Sequence, residues 1–356
     1  MKYAANSLEL LATEILGAFG CMDVECRIVA EHLLKANLSG HDSHGIGMLP
    51  VYGKQVADGN LLPNQTPEVI STNGAVTVVD ARRGFGHRMA LLALDMAIKS
   101  CRYNKVSVLG LRNSGHVSRT GHYAEYCAKH GLISLHFVNV WGHAPVVAAH
   151  GSRQPSFSTN PISIGIPVND TAKPMLDLAT STVAFGKVRV AHNRGEKVPL
   201  GWIIDDAGVS TDDPSPIWLN RTGALTPFGE HKGSGLAIFV ELLAGAIAGK
   251  ETVASGNHIP NGVFNNMFSI LIDPQAFDAQ ELIEERVMEF YQSIKSSKPV
   301  NDQSPVLMPG EPEINYRADR QKNGIEVDTE TIGQLIETGQ AFGLDAEVLN
   351  NHLQQI

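Results

Sequence analysis

Apolar and polar residues alternate at helical spacing over the first sixty positions of the chain. Leu8, Leu11, Ile15 and Phe19 share one helix face, with Ser7 placed to cap the helix and Gly20 to end it. Asp23 opens a second helix that turns Ile28, Val29, Leu33 and Ala36 inward, and a third pattern runs from Met48 to Ala57. Gly59 to Pro67, rich in Pro and Asn, reads as a linker and a domain boundary. Beyond it the period changes. Short apolar runs predict strands at 76–79, 106–109, 132–138, 162–166 and 269–272, and helical spacing predicts helices at 86–103, 120–130, 232–248 and 279–295. From Asp328 two short amphipathic helices return, one with Ile332, Leu335, Ile336 and Phe342, the other with Val348, Leu349 and Leu353. This order predicts an α/β protein: a mixed-sheet domain over 68–304, and a mainly helical subdomain made by 1–67 with 305–356. The Gly- and Ala-rich helix at 232–248 has little bulk and should pack closely on a neighbour.

Composition narrows the class of protein. With 356 residues, 43% apolar and 18% charged, the chain can bury a real core and is not a disordered polymer. Its net charge is −9 and no block of like charges occurs, which argues against nucleic acid or anionic lipid as a partner. An anionic ligand would need a local basic cluster. The longest apolar run, Gly235 to Gly249, contains Glu241 and reads as too short to span a bilayer. Met1 to Asn6 carries no apolar signal core. Cys21, Cys26, Cys101 and Cys127 form no Cys-x-x-Cys pair and no zinc spacing, so buried thiols in a reducing compartment are expected. Together these features point to a soluble, cytoplasmic protein.

Six stretches offer chemistry. In Val106 to Tyr123 a β-branched run passes into a loop with His116 as a proton-transfer group, Ser114 and Ser118 as donors and Arg119 as an anion clamp; a plain surface turn is the alternative. His41-Asp42-Ser43-His44-Gly45 reads as a helix cap, a metal site, or an active-site corner presenting Ser43 and His44. Phe157 to Pro161 is either an Asx-type turn or a place where the Thr159 hydroxyl meets a carboxylate. After Met175 to Ser181, the residues Lys187, Arg189, Arg194 and Lys197 face a single acid, Glu196, forming either a solvated basic face or a cradle for an anionic cofactor. Gly229 to Gly235 opens a helix with His231 and Lys232, where backbone N–H groups and one full charge could hold phosphate. Pro309-Gly310-Glu311 is followed by Arg317, Arg320 and Lys322, another local excess of positive charge. No Gly-x-Gly-x-x-Gly follows any predicted strand and no Walker loop exists, so a Rossmann arrangement is disfavoured.

In this order, His41 to Gly47, Asn113 to His116, Thr159-Asn160-Pro161, Asp177 to Ser181, His231-Lys232-Gly233 and Pro309-Gly310-Glu311 resemble the type 2 malate/L-lactate dehydrogenase family, which includes ureidoglycolate and sulfolactate dehydrogenases. The resemblance covers nearly the whole chain. It implies NAD- or NADP-dependent interconversion of 2-oxo and 2-hydroxy acids, a nucleotide-binding sheet outside the Rossmann class, and a homodimer. By resemblance His116 gives and takes the proton, with Ser43 and His44 beside the substrate. The cofactor would be lined by His44, Ser118, Arg119, Thr120, Asp177, Leu178, Ala179, Thr180, Lys187, His231, Lys232, Pro309, Gly310 and Glu311, and the substrate by Tyr52 and Thr159. Two departures stand out. Met48 sits where some members carry an Arg for the substrate carboxylate, which makes Arg119 a candidate clamp and the pocket less polar. Lys187 lies near the place where imine-reducing members carry an acid, which favours a carbonyl substrate.

Reducing a ketone leaves an alkoxide, so an acid must lie within hydrogen-bond reach of that oxygen, and His116 suits the role near neutral pH. Two other classes remain open on the residues alone. One is a metal-dependent hydrolase built on His41, Asp42, His44 and His116; the other is a ligand-binding protein without turnover.

Overall fold

The computed structural model describes residues 1–168, 174–193, 195–255, 258–260, 262–301 and 304–354. Helices at Ala5–Ala18, Asp23–Leu38 and Leu49–Ala57 pack with Thr329–Ala341 and Ala346–His352 around one apolar core. Leu8, Leu11, Ile15, Leu33, Leu49, Leu335 and Leu349 are all at most 1% exposed there, so the two ends of the chain share a core. A short antiparallel pair, Lys2–Tyr3 with Ile325–Glu326, ties the ends by backbone as well. Ser7 does not cap the first helix. Ala4 occupies the cap, and the Ser7 hydroxyl inside the first turn donates to the His352 carbonyl, joining the N-terminal helix to the last one. The segment expected as a linker is anchored on these helices: Leu61 is buried in their core, and Asn64 N donates to Glu25 Oε2 at 2.5 Å.

The middle of the chain forms a seven-stranded sheet. Its spatial order is Glu68–Asn73, Val76–Asp80, Val106–Gly115, Phe264–Ile272, Ile133–Trp141, Ile162–Gly165, Met175–Leu178. Val76–Asp80 and Val106–Gly115 run parallel, and the other pairings are antiparallel. The helix Gly86–Asn104 links that parallel pair, burying Met89, Ala90, Ala93, Leu94 and Ala97 against Leu109, Leu111 and Val138. A second sheet of short strands carries Ser210–Thr211, Ile203–Ile204, Ala224–Leu225, Val147–Ala148 and Pro155–Phe157. Runs of two or three residues carry no readable period, which is why hydrophobic alternation missed them.

One difference from expectation bears on the site. The strand from Val106 does not end at Leu109; it continues to Gly115, so Arg112, Asn113 and Ser114 are strand residues and His116 follows directly. Polar side chains can continue there because each finds a partner. Arg112 Nε lies 3.3 Å from Asp80 Oδ2, Asn113 Nδ2 donates to Asp80 Oδ1 at 3.0 Å, and Asn113 N donates to Asn266 Oδ1 at 3.0 Å.

The helical stretch His231–Gly249 also differs from its reading. It is 19 residues long with a mean hydropathy of 1.4, so by length and composition it could cross a membrane, contrary to the expectation from its apolar run. It is built into the fold along one side. Ala237, Val240, Ala244 and Ala248 are buried, and Glu241 accepts from Asn160 Nδ2 at 2.8 Å, Asn139 Nδ2 at 3.1 Å and Val253 N at 2.6 Å. The small residues therefore pack on this chain's own sheet. The opposite side exposes bulky Leu236, Phe239, Leu242 and Ile247. All four cysteines are buried free thiols, as expected, and burial pushes Cys127 up to about 12.

Candidate active site

His116 is placed by a close approach of backbones. A Cβ on Gly86 would lie 2.2 Å from the Gly115 carbonyl oxygen and 2.5 Å from that of His116, so only glycine lets the helix Gly86–Asn104 start here. On the far side Asn265 Oδ1 accepts from Val117 N at 2.8 Å. The ring then has two distinct ends. Nδ1 is 2.8 Å from Tyr52 Oη, while Nε2 makes no hydrogen bond among the described residues. Burial, with the charges of His44, His87 and His143 adding, holds the His116 imidazole well below the usual histidine range.

The turn Asp42–His44 faces it. The His44 and His116 rings are stacked with centroids 5.7 Å apart, and Ser43 Oγ lies 3.0 Å from His44 Nδ1. Burial depresses the His44 pKa to about 4, His41 adds to this, and Asp177 opposes it. Ser118 Oγ donates to the His44 carbonyl at 2.8 Å, fastening the turn to the segment after His116. The helix Phe185–Asn193 closes on the same turn: a Cβ on Gly186 would lie 2.6 Å from Ser43 Cβ. This helix carries the exposed Lys187; of the basic cluster expected there, Arg194 lies outside the described residues.

From this centre the other expected residues follow in contact. Thr120 Oγ1 donates to Asp177 Oδ1 at 2.9 Å, and the strand Met175–Leu178 receives the 309–311 turn through Met175 N to the Pro309 carbonyl at 3.2 Å. Leu178 and Ala179 lead to Thr180, whose N–H and hydroxyl both donate to the Thr159 carbonyl at 2.9 Å. Thr180 also accepts from Phe228 N at 3.1 Å, just before the helix start at His231. Lys232 there is exposed and makes no ion pair among the described residues.

Several expectations are corrected. Arg119 is not a free anion clamp: it is 2% exposed and lies between Glu125 Oε1 at 3.0 Å and Asp177 Oδ2 at 3.1 Å. Tyr52, expected at the substrate, is 1% exposed and lies against the back of His116. Met48 packs partly against the terminal core. Glu311 is taken up by Lys295 Nζ at 2.9 Å, Met308 N at 2.9 Å and Tyr291 Oη at 2.5 Å, so its carboxylate braces the turn. Two of the three positive charges after Gly310 are likewise committed, Arg317 to Glu125 and Arg320 to Asp42, while Lys322 is exposed. Asp42 therefore caps nothing, and His41 pairs with Glu313 at 3.2 Å. Of the four residues of the hydrolase reading, His41 and Asp42 are thus engaged away from the stacked His44 and His116, and the described residues contain no group of three His, Cys, Asp or Glu able to hold a metal ion.

Sequence reasoning passed over the buried amides that hold this scaffold. Asn265 and Asn266 reach across to Asn139 at 2.9 and 3.0 Å. It also passed over His87, a polar residue on the buried face of a helix, directly after Gly86. That position is the signal that would have found it.

A partly buried imidazole with one open nitrogen, a serine-histidine corner beside it and a glycine-rich helix start with an unpaired lysine fit an oxidoreductase of small acids. The description "Malate/L-lactate dehydrogenase" matches residues 3–336, and the chain belongs to that family of 2-hydroxy-acid oxidoreductases. It is similar to hydroxycarboxylate dehydrogenase B of Escherichia coli K12, at 36% identity over 100% of this chain and 98% of the relative. It is 34% identical to an L-lactate dehydrogenase of Cupriavidus necator, over 89% of this chain and 91% of that one. Among solved structures it resembles the sulfolactate dehydrogenase from Methanocaldococcus jannaschii, with a TM-score of 0.86 and 30% identity, covering 98% and 99% of the two chains.

Proposed function

We propose that this protein is an NAD- or NADP-dependent 2-hydroxycarboxylate dehydrogenase, cytoplasmic and homodimeric, with His116 as its acid and base. The observation that carries the reading is His116 itself, fixed from behind at Nδ1 and open at Nε2 beside Ser43 and His44. Oxidation of a hydroxy acid needs a base at its hydroxyl, and the depressed pKa keeps the ring neutral and ready at pH 7. Reduction needs the same nitrogen to return the proton. When bound, a nicotinamide supplies or takes up the hydride, and the chain's own residues bind, orient and manage the proton.

The residues present fit such a cofactor. The helix start at His231–Val240 offers backbone N–H groups, and a Cβ on Gly235 would meet nothing within 4 Å. Lys232 would hold the phosphates, and the end of Met175–Leu178 would lie along the nucleotide between His44 and Thr180. Lys187 in place of an acid supports a carbonyl substrate over an imine. A panel of 2-oxo acids with NADH or NADPH tests the reading; turnover should persist in the presence of a chelator. Oxidation of neither cofactor by any 2-oxo acid would contradict it.

Lys232→Ala is expected to raise the cofactor KM about tenfold or more at similar kcat, since a charge-assisted bond to phosphate contributes roughly 1.5–3 kcal/mol. An unchanged cofactor KM would place the phosphates elsewhere.

The bulky stripe Leu236, Phe239, Leu242 and Ile247 supports the homodimer, because four exposed apolar side chains on one helix call for a cover. Sedimentation at micromolar concentration should show a dimer that Phe239→Asp weakens. A wild-type monomer under those conditions would contradict this assembly.

A further inference from the structure

His87 is fully buried behind the site and has no part in the reaction as described so far. Tyr52 Oη stands between two imidazoles, 2.8 Å from His116 Nδ1 and 3.5 Å from His87 Nε2. The far nitrogen of His87, Nδ1, has no hydrogen-bond partner among the described residues. His32 meets the His87 ring in a T-shaped arrangement with centroids 4.9 Å apart. The helix start that sets His87 is the one whose Gly86 rests on the His116 backbone, so the positions of these two histidines are tied together.

A phenol has a single proton to donate, so Tyr52 can donate to only one of its two neighbours. If it donated to His116, Nδ1 of that ring would have to be a lone pair. Protonating His116 during catalysis would then force the phenol to turn away. If it donates to His87 Nε2, the Tyr52 oxygen accepts from His116 Nδ1–H whether His116 is neutral or protonated. Nε2 can then take the substrate proton and return it with no other group moving. Burial keeps the Tyr52 phenol un-ionised and the His87 ring neutral in either arrangement, and only the second leaves Nε2 of His116 as the lone pair that can take a proton.

We propose that His87 is a positioning residue: its Nε2 accepts a hydrogen bond from the Tyr52 hydroxyl, so that Tyr52 holds His116 in the tautomer with its proton on Nδ1 and its lone pair on Nε2. The inference rests on His116 being the acid and base proposed above. It deepens that reading by naming what fixes the reactive nitrogen.

The test joins kinetics to ¹⁵N NMR of the histidine-labelled protein, with His116→Asn assigning the His116 signals. In the wild type His116 Nδ1 should be of the protonated, pyrrole type and Nε2 of the pyridine type. His87→Phe should mix or invert these signals and lower kcat for hydroxy-acid oxidation by about 10–100-fold at nearly unchanged KM, as for other groups that orient a catalytic imidazole from behind. His87→Gln, whose amide oxygen can accept from Tyr52, should restore most of both. Tyr52→Phe should reproduce the His87→Phe signals and carries the test if His87→Phe does not fold. A wild-type proton on Nε2, or His116 signals unmoved in Tyr52→Phe and His87→Phe, would overturn the inference. If no 2-hydroxy acid is turned over, the proposed reaction falls, while the NMR signals still decide whether His87 sets the His116 proton.

Discussion

His116→Ala should lower kcat by about 10²–10⁴-fold while leaving cofactor affinity close to that of the wild type. In the proposed reading the imidazole serves the substrate; it is stacked on His44 and meets Tyr52, and among the described residues it makes no hydrogen bond to the helix start at His231. The pH dependence carries the sign of the assignment. Oxidation needs the neutral ring, so its rate should hold through neutral pH and fall only as pH drops through the lowered His116 pKa. Reduction needs the protonated ring, so its rate should fall as pH rises through the same value. Both limbs should therefore lie on the acid side of ordinary histidine, near 6.5, and both should vanish in His116→Ala. A variant that keeps wild-type kcat would remove His116 from the chemistry. If His44→Ala abolished the limbs and His116→Ala did not, the two histidines would exchange roles.

Arg119→Met should cost stability more than it costs substrate binding. Removing one partner of a buried ionic cluster leaves the others uncompensated, typically by about 3–5 kcal/mol. The lower end is expected here, because Glu125 keeps Arg317 and Asp177 keeps the Thr120 hydroxyl. Thermal unfolding should move down by several degrees. The Arg119 and Arg317 guanidinium groups hold the Glu125 carboxyl below its usual range. A carboxylate whose folded pKa is depressed stabilises the fold above its unfolded value, and that stabilisation is lost as pH falls through the folded one. The gap between wild type and Arg119→Met should therefore be full at neutral pH and shrink below about pH 4. An unchanged melting temperature with a raised substrate KM would return Arg119 to the role of anion clamp.

Much of the scaffold was legible because its signals are long. The longer terminal helices, Ala5–Ala18, Asp23–Leu38 and Thr329–Ala341, repeat apolar residues over three turns or more, and the strands at 133–141 and 264–272 carry β-branched and aromatic runs, though the apolar pattern of the second is readable only from Ser269. The strand end at Gly115 was not legible. Its polar residues look like a loop until Asp80 and Asn266, remote in sequence, are seen to satisfy them. The helices Phe185–Asn193 and Glu311–Asn323 were missed for a similar reason, since charge and Gly or Pro at their starts masked the period. Within the site, His116, Ser43 and His44 could be found because each lies in a short polar stretch beside glycine. The partners of Arg119 could not be found. Glu125 and Asp177, and the Arg317 that shares Glu125, come from three separate elements, and only the fold shows that a cation surrounded by glycines is already paired. Tyr52, expected at the substrate, meets Nδ1 of His116 in the fold, and spacing does not say which ring nitrogen a phenol meets.

The most direct test of the account follows the hydrogen itself. A 2-hydroxy acid that turns over, deuterated at C2, would be incubated with the enzyme and NAD or NADP, and the products analysed by mass spectrometry and NMR. The deuterium is expected at C4 of the nicotinamide, on one face, without exchange with solvent. Deuterium released to water, or product formed with no change in the nicotinamide, would contradict hydride transfer at this site.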